Sequence, residues 1–126
     1  NWAPVHAASM SSKADPDVYI LGDASSQGDM PKSGFSANSQ AKVCANAVRG
    51  DLTGSKVFPA KFSNTCWSLI GTNDGVKVGA TYKATAEKIA KVDGFISKTG
   101  ESADIRKATY EESEGWYTGI TTDMFS

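Results

Sequence analysis

Residues 18–48, VYILGDASSQGDMPKSGFSANSQAKVCANAV, constrain the fold of this chain more than any other stretch. A short apolar run (Val18, Tyr19, Ile20, Leu21) ends in Gly22-Asp23-Ala24. A polar loop follows, and Met30-Pro31-Lys32-Ser33-Gly34 then opens a helix. The run reads as a strand that delivers an acid at its carboxyl end. The helix start presents backbone N–H groups of partial positive charge, which favour anionic or carbonyl oxygen. In open α/β sheets such a crevice is where ligands sit. The same spacing also fits an ordinary βα unit with a capped helix.

Along that helix Ala37, Ala41, Cys44, Ala45 and Val48 recur on one face at a 3.6-residue period. Pro31 is acceptable only near the start, and Gly50 is placed to terminate the helix. The alanine-rich face predicts close approach to a neighbour. A second region, residues 57–100, alternates. Residues 64–70 (NTCWSLI) read as a strand and residues 71–75 (GTNDG) as a turn. Val76, Val78, Ala80 and Tyr82 mark a half-buried strand. Residues 84–92 fit helix or strand, with Phe95-Ile96 as a hairpin partner. The third region suits a helix over residues 102–117, its end weakened by Gly115 and Gly119. The expected class is α+β. The last βα unit of a dinucleotide-binding domain (residues 1–54) precedes a small antiparallel sheet with a C-terminal helix (residues 55–126). A lone βα unit cannot cover both faces of its strand, so the chain reads as the C-terminal fragment of a larger protein.

The net charge of −1 conceals a gradient. Residues 1–31 carry −3, residues 32–100 carry +6 and residues 101–126 carry −4. The central lysines are scattered and not interleaved with aromatics, which argues against nucleic-acid binding. No apolar run is long enough for membrane insertion, and the acidic last region is unlike a membrane-surface helix. His6 is the only histidine, and Cys44 and Cys66 are not in Cys-x-x-Cys spacing. Four-ligand zinc and a Ser-His-Asp triad are therefore disfavoured, and no metal site is expected. Cys44 reads as a small buried hydrophobe.

Several ordered motifs resemble the flavoprotein subunit of flavocytochrome c sulfide dehydrogenase in its C-terminal portion. They are Gly22-Asp23-Ala24, then residues 30–40 (MPKSGFSANSQ), Asn64-Thr65-Cys66-Trp67-Ser68, Gly75-Val76-Lys77-Val78 with Tyr82, and Trp116-Tyr117 followed by Ile120 and Asp123. Trp2-Ala3-Pro4-Val5 also fits the run before the last strand. The resemblance covers nearly the whole chain and is weakest over residues 83–107.

This resemblance implies a periplasmic FAD enzyme that oxidises sulfide and passes electrons to a c-type cytochrome subunit. It assigns Asp23 to the ribityl or pyrophosphate part of FAD, Lys32, Ser33 and Gly34 to the pyrimidine edge of the ring, and Gly22 to the cofactor site beside Asp23. Cys66 matches the redox cysteine, which pairs with a cysteine far upstream, and Trp116 matches an aromatic near the flavin. That upstream cysteine and any Gly-x-Gly-x-x-Gly loop are absent from this sequence. The isolated chain is accordingly expected to lack most of the FAD site and to be inactive. Alternatives are a non-catalytic module that docks a cytochrome or forms a homo-oligomer, and a part of a quinone-linked sulfide oxidoreductase.

Overall fold

The computed structural model describes residues 1–126. Its class is α+β: helices α1 (Gly34–Thr53) and α2 (Ala103–Phe125) accompany an antiparallel sheet of β1 (Lys61–Gly71), β2 (Asp74–Ala84) and β3 (Ile89–Ile96), in the order β1-β2-β3. The chain packs as two compact units. Unit 1 is Asn1–Thr65 with Gly79–Gly94, and unit 2 is Cys66–Val78 with Phe95–Ser126. No helix is long and apolar enough to cross a membrane.

In unit 1 the strand expected at residues 18–21 does not form. Tyr19 makes a single bridge to Ser11, and the Ile20 N–H donates to the Met10 carbonyl at 2.9 Å. The reason is the neighbour. Residues 3–12 fold back through a tight turn, with Met10 at φ 65, so they offer isolated partners and no ladder. Tyr19, Ile20 and Leu21 still pack on the core, while Val18 is exposed. That core comprises Val5, Ala7, Met10, Met30, Cys44, Phe62, Ala80, Tyr82 and Ile89.

Helix α1 begins where expected. Ser33 is its N-cap, its Oγ accepting the Ser36 N–H at 3.1 Å and satisfying one of the helix's first donors. Its end and its face both differ from expectation. The helix passes through Gly50 and stops at Gly54, which adopts φ 69 and closes the last turn on the Gly50 carbonyl. Gly50 serves close approach instead, since a Cβ there would lie 2.3 Å from Val57 Cγ2. The buried positions are Ser36, Gln40, Cys44 and Ala47, while Ala45 is exposed. Hydropathy placed the alanines inward, but Ser36 and Gln40 are buried because internal hydrogen bonds satisfy them.

Ala84 ends β2, and residues 89–96 form one strand through Asp93-Gly94, so Phe95-Ile96 continue that strand and are not its hairpin partner. Asp29 holds the start of β3: its N–H donates to the Ile89 carbonyl at 2.9 Å, and its carboxylate accepts the Lys91 N–H at 3.0 Å and the Lys88 ammonium at 2.5 Å. Gly28 permits this approach, since a Cβ there would meet the Ile89 carbonyl oxygen at 2.4 Å.

Unit 2 packs α2 on the β1–β2 hairpin. The hairpin turns at Thr72-Asn73, within the predicted turn, with Asn73 at φ 56. The backbone of α2 at Tyr110 lies 3.0 Å from where a Cβ on Gly75 would stand, so only glycine admits the helix there without displacement. Ser102 caps α2, and the helix continues past Gly115 and Gly119 to Phe125, beyond its expected end at residue 117. Two interior glycines cost about 1 kcal/mol each, which a long helix with tertiary contacts absorbs.

Candidate functional site

The residues expected to meet FAD in unit 1 gather at the start of α1. Gly22 opens a single 3-10 turn, Gly22–Ala24, at φ 71. Its N–H donates to Gln40 Oε1 at 2.7 Å, which ties the turn to the helix. Gln40 Nε2 donates to Gln27 Oε1 at 2.9 Å, and Gln27 Nε2 to the Met30 carbonyl at 3.2 Å. Lys32 Nζ donates to the carbonyls of Asp23 at 2.5 Å and Ser25 at 3.1 Å, and lies 4.0 Å from the centroid of the Trp2 ring. Ser33 Oγ donates to Asn64 Oδ1 at 2.6 Å, and Ser36 Oγ does so at 3.1 Å.

The geometry brings Gly22, Asp23, Lys32, Ser33 and Gly34 together, with Asp23 and Gly34 exposed. The loop and the helix start are locked by buried amides, leaving the Asp23 carboxylate open beside them. A flavin fits this donor set: an open carboxylate can accept from ribityl hydroxyls, and a helix start can donate to carbonyl oxygens. Lys32 has a role the sequence did not reveal, since its ammonium fastens the acidic turn to the helix entrance. Gln27, Gln40 and Asn64 were missed as well. The legible signal was Gln40 four residues after Ser36, two polar groups in register on one helical face.

Elsewhere in unit 1, Tyr19 Oη donates to Asp51 Oδ2, and that carboxylate pushes the phenol up to about 12. Burial pushes the Cys44 thiol upward. Neither cysteine is in a disulfide.

In unit 2, Cys66 is half-buried and lines a cavity of about 440 Å³. Val76, Val78 and Ile96 form its apolar wall. Ser68 and Ser97 add hydroxyls, and Lys98 and Arg106 add charge. The pleat of β1 puts Cys66 and Ser68 on one face and Trp67 on the other. Trp116 packs on Trp67, the ring centroids 5.7 Å apart at a tilt of 33°. The structure therefore sets Trp116 against the strand face opposite Cys66. Arg106 Nη2 lies 2.5 Å from Asp74 Oδ1, and Lys77 Nζ 2.5 Å from Glu112 Oε2.

Residues 59–125 match the family described as Flavocytochrome c sulphide dehydrogenase, flavin-binding. The chain belongs to this family. The matched stretch includes Cys66 and Trp116, whereas Gly22, Asp23, Lys32, Ser33 and Gly34 precede it. Membership implies a flavin cofactor, an oxidoreductase role for the protein to which this sequence belongs, and association with a cytochrome subunit.

Proposed function

We propose that this chain is the C-terminal part of a periplasmic, FAD-dependent sulfide dehydrogenase that passes electrons from sulfide to a c-type cytochrome. The observation that carries this reading is the family match across Cys66, a thiol that lines a cavity large enough to admit reactants. The division into residues 1–54 and 55–126, the first belonging to the FAD-binding domain, is part of the same proposal.

Unit 1 orients the cofactor: Asp23 accepts from its hydroxyl groups, Gly22 keeps the turn close, and Ser33 and Gly34 hold the helix start open toward carbonyl oxygen. Lys32 keeps that entrance in shape and adds positive charge. Bound flavin supplies a two-electron acceptor that can pass electrons on singly. Cys66 carries the sulfur chemistry. Attack of hydrosulfide on the Cys66 sulfur of a disulfide formed with a cysteine outside this sequence breaks the S–S bond, leaves the persulfide on Cys66 and releases the other cysteine as thiolate, which retains the electron pair. Trp116 packs with Trp67 and supports the strand that presents Cys66.

The test is mass spectrometry of the flavin-loaded protein after anaerobic treatment with sulfide. A persulfide on the peptide containing Cys66 is the expected result, and modification confined to the Cys44 peptide would refute the assignment. The 126-residue chain alone, given FAD, sulfide and a c-type cytochrome, is expected to show no turnover. A second reading, a non-catalytic dimerisation or cytochrome-docking module, is favoured by exposed Leu69, Ile70, Phe95 and Ile96 in unit 2. Concentration-dependent mass by light scattering, with no flavin chemistry in the loaded protein, would support it. A quinone-linked relative would bind liposomes, which the acidic α2 disfavours.

A further inference from the structure

Ser33, Ser36 and Ser39 meet two neighbouring residues of β1, and all five residues lie in unit 1. Ser33 Oγ and Ser36 Oγ both donate to Asn64 Oδ1, at 2.6 and 3.1 Å, and Ser39 Oγ accepts the Ser63 N–H at 3.1 Å. The serines recur at i, i+3 and i+6, which keeps them on one side of the helix. In the sheet order β1-β2-β3, β1 has a strand neighbour on one side only, so its outward N–H groups need partners of another kind. Ser39 supplies one.

Asn64 is the centre of this arrangement. It is only 3% exposed, and Ser36 is 0% exposed. Polar groups are buried so deeply when they are satisfied, and here two hydroxyls fill the two lone pairs of one amide oxygen. The consequence reaches the helix cap. A serine hydroxyl holds one hydrogen. With that hydrogen on Asn64, Ser33 Oγ keeps a lone pair for the Ser36 N–H, which it accepts at 3.1 Å. An apolar side chain at this position would free the Ser33 hydroxyl to rotate and leave the buried Ser36 hydroxyl without this acceptor. Gly34, exposed, carries the first donor of the turn that Asn64 seats.

We infer that Asn64 is a positioning residue for the flavin. It acts through Ser33 and Ser36, holding the first turn of α1 in the one orientation that offers its donors to a ring carbonyl. The inference rests on the flavin reading given above, but the clamp itself can be measured without flavin, so the two can fail separately.

Two substitutions separate the acceptor from its charge. Asn64→Leu removes the acceptor at similar volume, whereas Asn64→Asp keeps oxygen for both hydroxyls and adds negative charge at the helix start. In the chain without flavin, amide exchange over residues 34–37 should quicken roughly tenfold or more in Asn64→Leu and stay within about threefold in Asn64→Asp. Ser36→Ala removes one hydroxyl and leaves the cap in place, so it should fall between them and serves if Asn64→Leu does not fold. In the flavin-loaded protein, Asn64→Leu should weaken flavin binding roughly tenfold. Asn64→Asp should bind oxidised flavin within about threefold of wild type. Its two-electron midpoint potential should fall by about 30 mV, equivalent to a tenfold loss of preference for the anionic reduced ring. A residue that only supported the fold would leave the potential unmoved. Unchanged exchange in both Asn64→Leu and Ser36→Ala would overturn the clamp. Faster exchange with unaltered flavin affinity and potential would overturn the positioning role. Wild-type protein that takes up no flavin would refute the flavin reading and the positioning role with it, while exchange would still decide the clamp.

Discussion

Unit 1 and unit 2 hold themselves together by different means. Unit 1 contains the whole buried apolar cluster, from Val5 to Ile89, and a set of buried amides whose hydrogen bonds close on one another. Unit 2 buries only Gly75 and Thr109. It relies on the Trp67–Trp116 pair and on half-exposed ion pairs at Asp74 and Lys77, and leaves Ile96 at 72% and Phe125 at 83% exposure. The contrast teaches where rigidity lies. The entrance proposed for the flavin is built on the hydrogen-bonded unit, and the thiol proposed to react with sulfide on the unit with little core. A region with few buried contacts opens more readily.

The largest expected effect tests the core itself. Ile89 is 1% exposed, so Ile89→Ala should cost about 2–5 kcal/mol and lower the melting temperature sharply. Ile96→Ala, on the same strand but in unit 2, should stay within about 0.5 kcal/mol. Equal losses in the two variants would break the contrast.

Next comes the amide network. Gln40→Leu keeps the volume but orphans the Gly22 N–H, with an expected loss of about 1–3 kcal/mol. Faster hydrogen exchange in residues 22–28 would show that the acidic turn depends on this one side chain. Smaller still is the effect of salt. The ion pairs of unit 2 are each worth at most about 1 kcal/mol, so raising salt to about 0.5 M should quicken exchange in α2 and leave α1 unchanged.

The last prediction concerns pH within unit 1. Hydrogen bonds from Lys88 and from the Lys91 backbone hold the Asp29 carboxyl below its ordinary value of 3.8. A depressed folded pKa adds stability that is present above the unfolded value and lost as pH falls through the folded one. Asp29→Asn should therefore flatten the acid limb of the stability curve below pH of about 4. Tyr19 acts oppositely. Its raised pKa contributes stability that is complete below the unfolded value of 10.0 and is lost as pH rises toward about 12. Tyr19→Phe should remove that alkaline loss.

Much of the fold was legible because it rests on local chemistry. Ser33 as cap, Asn73 in the turn and the alternation of Val76, Val78, Ala80 and Tyr82 all express backbone preferences that a short window contains. The strand at residues 18–21 was not legible, because a strand needs a continuous partner and residues 3–12 turn away after Met10. The buried face of α1 was misread because Ser36 and Gln40 look polar until their partners Asn64, Gln27 and Gly22 are brought in. The end of α2 was misread because glycine propensity is local, whereas the packing of Trp116 on Trp67 supports the helix between Gly115 and Gly119 from outside. Of the site, Asp23, Lys32 and Cys66 were visible as residues. The tether from Lys32 to the Asp23 carbonyl and the cavity between β1 and Lys98 depend on folding.

The central claim is that Cys66, and not Cys44, is the sulfur-reactive thiol of a flavin enzyme. Anaerobic stopped-flow measurement of flavin reduction by sulfide, in the flavin-loaded protein, tests it most directly. Cys66→Ser should slow reduction roughly 10³-fold, as loss of a covalent participant does, and Cys44→Ser should leave the rate within about twofold. Unchanged reduction in Cys66→Ser, at full flavin occupancy, would contradict the account.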